Sequence, residues 1–209
     1  DLIIPRGGEG LINYIRQTTS VPLIISGRGN NFVYIHKDAD FGMAINIVLN
    51  GKSRLSVCNA VDKVLLDKNI ENFDEKANLL VQALKGANLD VIADGSDLNE
   101  VEGVRPMTEN VYAKEFLSPE ILIGVAEDTE SAIKTINEYS GGHSAVIVTS
   151  DKSEAENFQN KVDCAAVYHN ASTRFTDGGQ LGFGAEIAIS TQKLHFRGTV
   201  GSGQLVSNK

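Results

Sequence analysis

Short apolar runs alternate with longer segments of helical periodicity along almost the whole chain, and this alternation constrains the fold more than any single motif. Strands that alternate with helices are typical of an α/β domain with a largely parallel sheet. We therefore predict strands at residues 2–5, 21–25, 32–35, 61–66, 91–93, 121–125, 145–149 and 165–169. We predict helices at residues 10–17, 40–49, 73–84, 129–139 and 153–161, and an irregular loop at 94–112.

Two of these helices allow predictions for single residues. Asp40 opens the helix at 40–49, and its short carboxylate is typical of the N-cap position. In the helix at 73–84, the spacing predicts a buried stripe formed by Leu79, Leu80, Ala83 and Leu84. Both predictions depend on helical geometry alone, so the structure tests them directly.

Residues 27–30 read GRGN, and two glycines that flank an arginine suit a hinge better than the interior of an element. We therefore predict a domain boundary here, between residues 1–28 and the part of the chain that begins at residue 29. The chain has no initiator Met and opens on an apolar run, so we expect it to be a piece of a longer protein.

The 209-residue chain has a net charge of -8 and a pI near 5.0, which argues against nonspecific binding to nucleic acid, because a phosphate backbone demands a basic surface. The two cysteines, Cys58 and Cys164, lie far apart in sequence. This usage favours free thiols in a reducing cytoplasm. No apolar run has the length of a membrane span, and no His or Cys pair has metal-ligand spacing, so we expect neither a membrane nor a metal partner.

Cys58 is the first candidate for chemistry. A thiol attacks as the thiolate, and neighbours such as Lys52 and Arg54, or a helix start, lower a cysteine pKa. The local sequence therefore suits a nucleophile. The alternative is that Cys58 is a small buried apolar side chain, as most cysteines of unknown role are.

Four motifs along the chain favour the interpretation of Cys58 as a nucleophile. Residues 168–186 read YHNASTRFTDGGQLGFGAE and residues 189–195 read ISTQKLH. Residues 1–8 read DLIIPRGG, residues 56–60 read SVCNA, and residues 140–143 read SGGH, with AVIVT following at 145–149. These motifs resemble those of the γ-glutamyl phosphate reductase family, the proline-biosynthetic branch of the aldehyde dehydrogenase superfamily.

The resemblance implies an aldehyde dehydrogenase-like catalytic domain at 29–184, with a remnant of the Rossmann-like NADP-binding domain at 1–28. It also implies that Cys58 attacks the acyl phosphate of γ-glutamyl phosphate, releasing phosphate and leaving a thioester that NADPH reduces to glutamate 5-semialdehyde. Hydrolytic members of the superfamily carry a glutamate base that would activate water. The corresponding residues 25–30 read ISGRGN, which contain no carboxylate and therefore fit a reductase.

The resemblance assigns substrate contacts to the segment around Arg174. Arg174 would hold the substrate α-carboxylate, and the hydroxyls of Ser172 and Thr173 would add hydrogen bonds. Asp177 would pair either with the substrate ammonium or with Arg174. The alternative for this segment is a turn stabilised by Ser and Thr, with a solvated arginine. His143 resembles a histidine near the family's active site, but a structural hydrogen-bonding role is equally open.

The cofactor contacts implied by the resemblance lie in two places. Gly7 and Gly8 stand between a predicted strand and a helix, where free N–H groups can face a phosphate, although a plain glycine turn is the alternative. Glu115 and Phe116 resemble the superfamily's glutamate–phenylalanine pair, whose carboxylate holds the nicotinamide ribose. NADP(H) is therefore the expected cofactor.

The resemblance also implies a homo-oligomer, in which residues 185–209 form the oligomerisation strand, and a functional contact with glutamate 5-kinase. The sequence after Gly198 departs from the family pattern, which leaves the oligomeric state open. Two rival functions stay open as well. One is another acylating or oxidising aldehyde dehydrogenase that uses Cys58, and the other is a noncatalytic module that lacks the cofactor domain.

Overall fold

The computed structural model describes residues 1–98, 101–193 and 196–206. Leu194 and His195, the last two residues of the ISTQKLH motif, lie outside the described residues. The helices are α1 (Glu9–Thr18), α2 (Phe41–Gly51), α3 (Phe73–Gly86), α4 (Thr129–Tyr139) and α5 (Lys152–Lys161). The strands are β1 (Asn31–Ile35), β2 (Val61–Asp67), β3 (Asp90–Ala93), β4 (Val104–Pro106), β5 (Glu120–Ala126), β6 (Ser144–Val148), β7 (Ala166–His169), β8 (Ala188–Ser190) and β9 (Gly198–Val200).

Strands β1 to β7 form a seven-stranded sheet in the order β4-β3-β5-β2-β1-β6-β7. Every neighbouring pair in this sheet is parallel. Strands β8 and β9 form a separate antiparallel pair. The predicted α/β fold with a largely parallel sheet is therefore confirmed. Each connection between parallel strands crosses back through a helix or loop, so that every strand begins at the same edge.

Alternate strand residues face opposite sides of the sheet, and helices cover both sides. Val33 and Ile35 pack into the core formed with α2 and α3. Phe32 and Tyr34 face the other way, into the core formed with α4 and α5. Strands that are buried on both faces read as continuous apolar runs, which is why the sequence revealed them.

The helix predictions for single residues had different outcomes. The N-cap prediction is confirmed, since Asp40 Oδ1 accepts a hydrogen bond from the Met43 N–H at 2.9 Å. The predicted stripe of α3 is wrong at Leu79, which is 47% exposed, and Ala83 is only partly buried. The buried face of α3 consists of Ala77, Leu80, Val81 and Leu84.

The structure corrects three predicted elements. Residues 2–5 and 21–25 are not strands, since only an isolated parallel bridge joins Ile3 to Leu23. Residues 94–112 are not wholly irregular, because they contain the 3-10 turn Ser96–Leu98 and strand β4 at the sheet edge. Short elements such as these depend on a partner that local sequence does not reveal.

The segment before β1 packs against the segment that follows β8. Ser26 forms an isolated antiparallel bridge with Ser190, and the Ile25 N–H donates to Gln192 Oε1 at 2.6 Å. The predicted boundary after Arg28 remains a prediction. The segment that follows it is not a free hinge, however, because Asn30 is buried and donates from Nδ2 to the carbonyls of two distant residues.

Within the described residues, no helix combines the length and apolar character needed to cross a membrane. Both cysteines are free thiols, as predicted.

Candidate active site

The segments that precede four parallel strands meet at the amino-terminal edge of the sheet. Gly29 precedes β1, Cys58 precedes β2, Glu115 precedes β5 and His143 precedes β6. Because parallel strands begin at the same edge, the fold brings these sequence-distant positions to one side of the molecule. Open α/β sheets more commonly bind ligands at the carboxyl edge, so this arrangement has to be found from the residues rather than assumed from the fold.

Cys58 lies in an irregular turn between the end of α2 and the start of β2. It is therefore not at a helix start, and the suggestion that a helix dipole lowers its pKa is wrong. Asn31 Nδ2 donates to the carbonyl oxygen of Cys58 at 2.7 Å and to that of Ala60 at 2.6 Å. These bonds fix the backbone of the turn to the first residue of β1.

Gly29 makes the close approach to Cys58 possible. A methyl group on Gly29 would stand 1.9 Å from the carbonyl oxygen of Cys58, far inside a normal contact. The sequence indicated a hinge at this glycine, but its role is to let two backbone segments touch. The sequence analysis also did not identify Asn31 as part of this site, although an asparagine directly before an apolar strand was the signal that could have found it.

The electrostatic setting of the thiol differs from the prediction. Burial raises the pKa of Cys58, and the carboxylates of Glu186 and Glu115 raise it further, whereas Arg6 opposes them. The lysine expected to lower it, Lys52, is instead bonded to Asp62 with 2.6 Å between Nζ and Oδ1. The other expected cation, Arg54, is exposed. In the free protein the thiol is therefore predominantly protonated at neutral pH.

Glu115 and Phe116, the candidate cofactor residues, also lie at this edge of the sheet. Glu115 Oε1 accepts a hydrogen bond from the Gly29 N–H at 2.9 Å, and burial raises the pKa of its carboxyl group. The Phe116 ring is buried, with Lys63 Nζ 3.7 Å from its centroid. Glu115, a candidate cofactor residue, is thus bonded to the glycine that contacts the backbone of Cys58.

The predicted substrate segment is hydrogen-bonded to Asn59, the residue that follows Cys58. Thr173 Oγ1 donates to the Asn59 carbonyl oxygen at 2.6 Å, and the Arg174 guanidinium donates to Asn59 Oδ1. Asn59 Nδ2 donates to the Thr176 carbonyl oxygen at 3.1 Å. Asn59 was not singled out from the sequence, although its position beside Cys58 was the signal that could have found it.

Ser172 and Thr173 use their hydroxyls within the protein. Ser172 Oγ accepts from the Arg174 N–H at 3.2 Å as the N-cap of a 3-10 turn, and Thr173 is fully buried. These contacts favour the turn alternative for both hydroxyls. Arg174 itself is half-buried and remains available to a ligand at the surface of this turn.

Arg174 and Asp177 line a common cavity of about 260 Å³, together with Asn50, Phe175 and Gln180. Asp177 Oδ1 accepts hydrogen bonds from the backbone N–H groups of Gly179 and Gln180, at 2.9 and 3.1 Å, which fixes the carboxylate at the cavity wall. A cation and an anion on one wall match the two charges of an amino acid's α-carbon substituents. Cys58 is not among the residues that line this cavity.

His143 lies in the interior rather than at the cavity. Its side chain is completely buried, and Nδ1 is 2.8 Å from Ser144 Oγ. Burial lowers its pKa to about 4, so the imidazole is neutral at physiological pH. The geometry favours the structural alternative for this residue over a substrate contact.

Gly7 and Gly8 are exposed at the start of α1, where Gly8 is an N-cap without a side-chain hydrogen bond. Arg6, the residue before Gly7, donates a hydrogen bond to the Ile187 carbonyl oxygen, and its charge acts to lower the pKa of Cys58. The glycine turn therefore belongs to the same edge of the molecule as the thiol.

Comparison with known proteins first defines the class. Residues 101–185 match the aldehyde dehydrogenase family, and the chain has the fold of an acetylating aldehyde dehydrogenase from Geobacillus thermoglucosidasius. That structure is 19% identical, with a TM-score of 0.68 over 91% of this chain and 51% of its own. The fold is thus aldehyde dehydrogenase-like.

The more specific matches confirm the resemblance drawn from the motifs. The whole chain aligns at 46% identity with 50% of the γ-glutamyl phosphate reductase of Clostridium botulinum. It superposes on 50% of the γ-glutamyl phosphate reductase crystal structure from Thermotoga maritima, with 41% identity and a TM-score of 0.94 over the whole chain. The chain is thus similar in sequence to γ-glutamyl phosphate reductases, and it spans about half the length of the curated relatives it matches.

Proposed function

We propose that this chain carries the catalytic part of an NADPH-dependent oxidoreductase that converts γ-glutamyl phosphate to glutamate 5-semialdehyde in proline biosynthesis. The observation that supports this most directly is the bonded connection from Cys58 through Asn59 to Arg174. It links a half-buried thiol to a cationic side chain on a cavity wall. The names of the relatives suggest the substrate class, and Cys58 and Arg174 are the residues that we propose act on it.

In the proposed reaction the Cys58 thiolate attacks the acyl carbon of the substrate, and the bond to phosphate breaks. The products of this step are a thioester on Cys58 and free phosphate. The thiol must first lose its proton, which burial and the carboxylates of Glu186 and Glu115 disfavour in the free protein. We therefore expect proton loss to accompany substrate binding rather than precede it.

The cavity of Arg174 and Asp177 is proposed to hold the amino-acid end of the substrate. Arg174 binds the α-carboxylate, and Asp177 faces the α-ammonium. Because Asp177 is fixed by two backbone N–H groups, it can receive the ammonium without pairing with Arg174. We therefore propose the substrate ammonium, rather than Arg174, as the partner of Asp177.

The residues present fit a nicotinamide cofactor at the same edge. The half-buried Glu115 carboxylate lies beside the nucleophile's turn, and the uncapped start of α1 at Gly8 offers backbone N–H groups to a phosphate. We propose that Glu115, Phe116, Gly7 and Gly8 contact NADPH. When bound, NADPH supplies the hydride that reduces the thioester to the aldehyde.

The test uses the chain itself and measures NADP-dependent oxidation of glutamate 5-semialdehyde in phosphate by absorbance at the NADPH band. We expect Cys58→Ser to abolish turnover. We expect Arg174→Ala to raise KM for glutamate semialdehyde about tenfold or more, as loss of a charge-assisted contact predicts. Lys68→Met, at an exposed ion pair with Glu127, is the matched control and should change neither.

The rivals give different results. If Arg174→Ala raised KM equally for a simple aldehyde such as propanal, an ordinary aldehyde dehydrogenase would be the better description. If NADPH fluorescence showed no binding to the chain, the noncatalytic module would be favoured. The homo-oligomer, its strand at 185–209 and the contact with glutamate 5-kinase stay predictions of the resemblance. The cytoplasmic location stays a prediction from the cysteine usage.

A further inference from the structure

A buried ion pair lies next to the candidate active site. Lys52 Nζ is 2.6 Å from Asp62 Oδ1, and the two side chains are 0% and 2% exposed. Desolvation offsets much of the attraction between two buried charges, so such a pair is a weak source of stability. The remaining contacts of the pair therefore indicate its role better than the ion pair itself does.

The second carboxylate oxygen of Asp62 holds the segment that carries the candidate cofactor residues. Asp62 Oδ2 accepts a hydrogen bond from the Phe116 N–H at 2.7 Å. Lys63, the next residue of β2, donates from Nζ to the Lys114 carbonyl oxygen at 2.8 Å and lies 3.7 Å from the centroid of the Phe116 ring. Two successive residues of β2 thus anchor the backbone on both sides of residue 115.

Glu115 stands between these anchors and reaches the nucleophile's turn. Its Oε1 accepts the Gly29 N–H at 2.9 Å, and Gly29 is in contact with the carbonyl of Cys58. Burial of a carboxylate is unfavourable unless it is hydrogen-bonded or paired, and the bond from the Gly29 N–H requires the Glu115 side chain to be held within reach. The anchors at residues 114 and 116 supply that restraint.

We propose that Lys52 and Asp62 form a positioning pair, which fixes the Glu115 carboxylate beside Cys58 by holding the backbone N–H of Phe116. Lys52 keeps the Asp62 carboxylate in place, and Asp62 acts through the backbone. The proposal rests on the proposed function only through the roles of Cys58 and Glu115.

The test is the rate of Cys58 alkylation by iodoacetamide across pH, located by mass spectrometry. The charged groups that act on this thiol are Glu186, Glu115 and Arg6. We expect Glu115→Gln to lower the midpoint of the profile, because it removes a negative charge. Asp62→Asn should shift it in the same direction, with alkylation below the midpoint about two- to tenfold faster, as a shift of up to about one pH unit gives. The double variant should be no faster than Glu115→Gln alone.

A purely structural role for Asp62 would lower the melting temperature without this shared shift. The proposal is overturned if Asp62→Asn leaves the profile unchanged, if its effect adds to that of Glu115→Gln, or if Glu115→Gln itself has no effect. Lys68→Met is the control and should leave the profile unchanged. If Asp62→Asn fails to melt cooperatively, Asp62→Glu, which keeps the charge, replaces it. Failure of the proposed function would instead appear as absent turnover with the expected thiol profiles.

Discussion

Replacement of the buried Lys63 by methionine should remove a pH-dependent penalty on folding. Lys63 is fully buried, and burial lowers its pKa from 10.5 to about 7, with Lys52 and Lys114 acting in the same direction and Asp62 opposing them. Methionine has a similar length and carries no charge. The change therefore separates the effect of the ammonium group from the effect of filling the space.

The sign follows from proton binding in the two states. Below about pH 7 the folded and the unfolded chain both hold the Lys63 proton, so the full penalty of burying the charge applies. Between about pH 7 and the ordinary lysine pKa, the folded chain releases the proton while the unfolded chain keeps it. Stability therefore rises with pH over this window, and the penalty is gone above it.

The magnitude follows from about 1.4 kcal/mol for each unit of pKa difference. Between about pH 7 and about pH 9, the free energy of unfolding of the wild-type chain should rise by about 2 kcal/mol relative to that of Lys63→Met. At both pH values the variant lacks the hydrogen bond to the Lys114 carbonyl oxygen, which is worth about 1 kcal/mol and partly masks its gain at the lower pH. The pH-dependent difference is free of this masking, because the lost bond contributes at both pH values.

Urea unfolding followed by circular dichroism at the two pH values measures this difference. Lys68→Met is the matched control, since Lys68 is exposed and pairs with Glu127. Its stability relative to wild type should not change over the same window. If wild type and Lys63→Met moved in parallel with pH, Lys63 would keep its proton in the folded state, and the reasoning from burial would be refuted.

Three further outcomes are expected. Gly29→Ala places a methyl group 1.9 Å from a backbone carbonyl oxygen and should lower stability by about 3 kcal/mol or more in thermal unfolding. The control Gly86→Ala, with open space around it, should cost nothing, and equal melting temperatures for the two variants would contradict the close contact. Glu186→Gln should lower the pKa of the Cys58 thiol, so iodoacetamide should react faster with Cys58 at a fixed neutral pH. An unchanged rate would count against an effect of the Glu186 carboxylate on this pKa. Leu80→Ala should cost about 2–5 kcal/mol in urea unfolding, against less than about 1 kcal/mol for the exposed Leu79→Ala, and similar losses would reverse the assignment of the buried face.

The parallel sheet could be predicted because its strands are buried on both faces, which leaves apolar runs that are visible in sequence. The terminal segments could not, since Ile3 and Leu23 are apolar but meet in a single bridge. The stripe of α3 failed at Leu79 because residues 79 and 80 lie about 100° apart around a helix, so one of two adjacent leucines is turned away from the core.

The candidate site residues came from the resemblance of the motifs, but the electrostatics around Cys58 could not be predicted from the sequence. The motifs located Cys58, Glu115 and Arg174, which the fold places at one edge or on bonded neighbours of that edge. The pKa of the thiol was predicted in the wrong direction, because Lys52 is near in sequence but is bonded elsewhere. The carboxylate with the largest effect, Glu186, is far away in sequence and arrives only through tertiary folding.

The surroundings of Cys58 come from residues 6, 29, 115 and 186, so they assemble only when the chain ends and the sheet edge are all in place. In the unfolded chain both cysteines regain an ordinary thiol pKa and should be labelled at similar rates. In the native chain both are protected, and burial raises the pKa of Cys164 to about 11. The labelling rates of the two cysteines therefore measure two separate parts of unfolding. Labelling of Cys164 reports opening of the core formed with α4 and α5, and labelling of Cys58 reports loss of structure at the amino-terminal edge of the sheet.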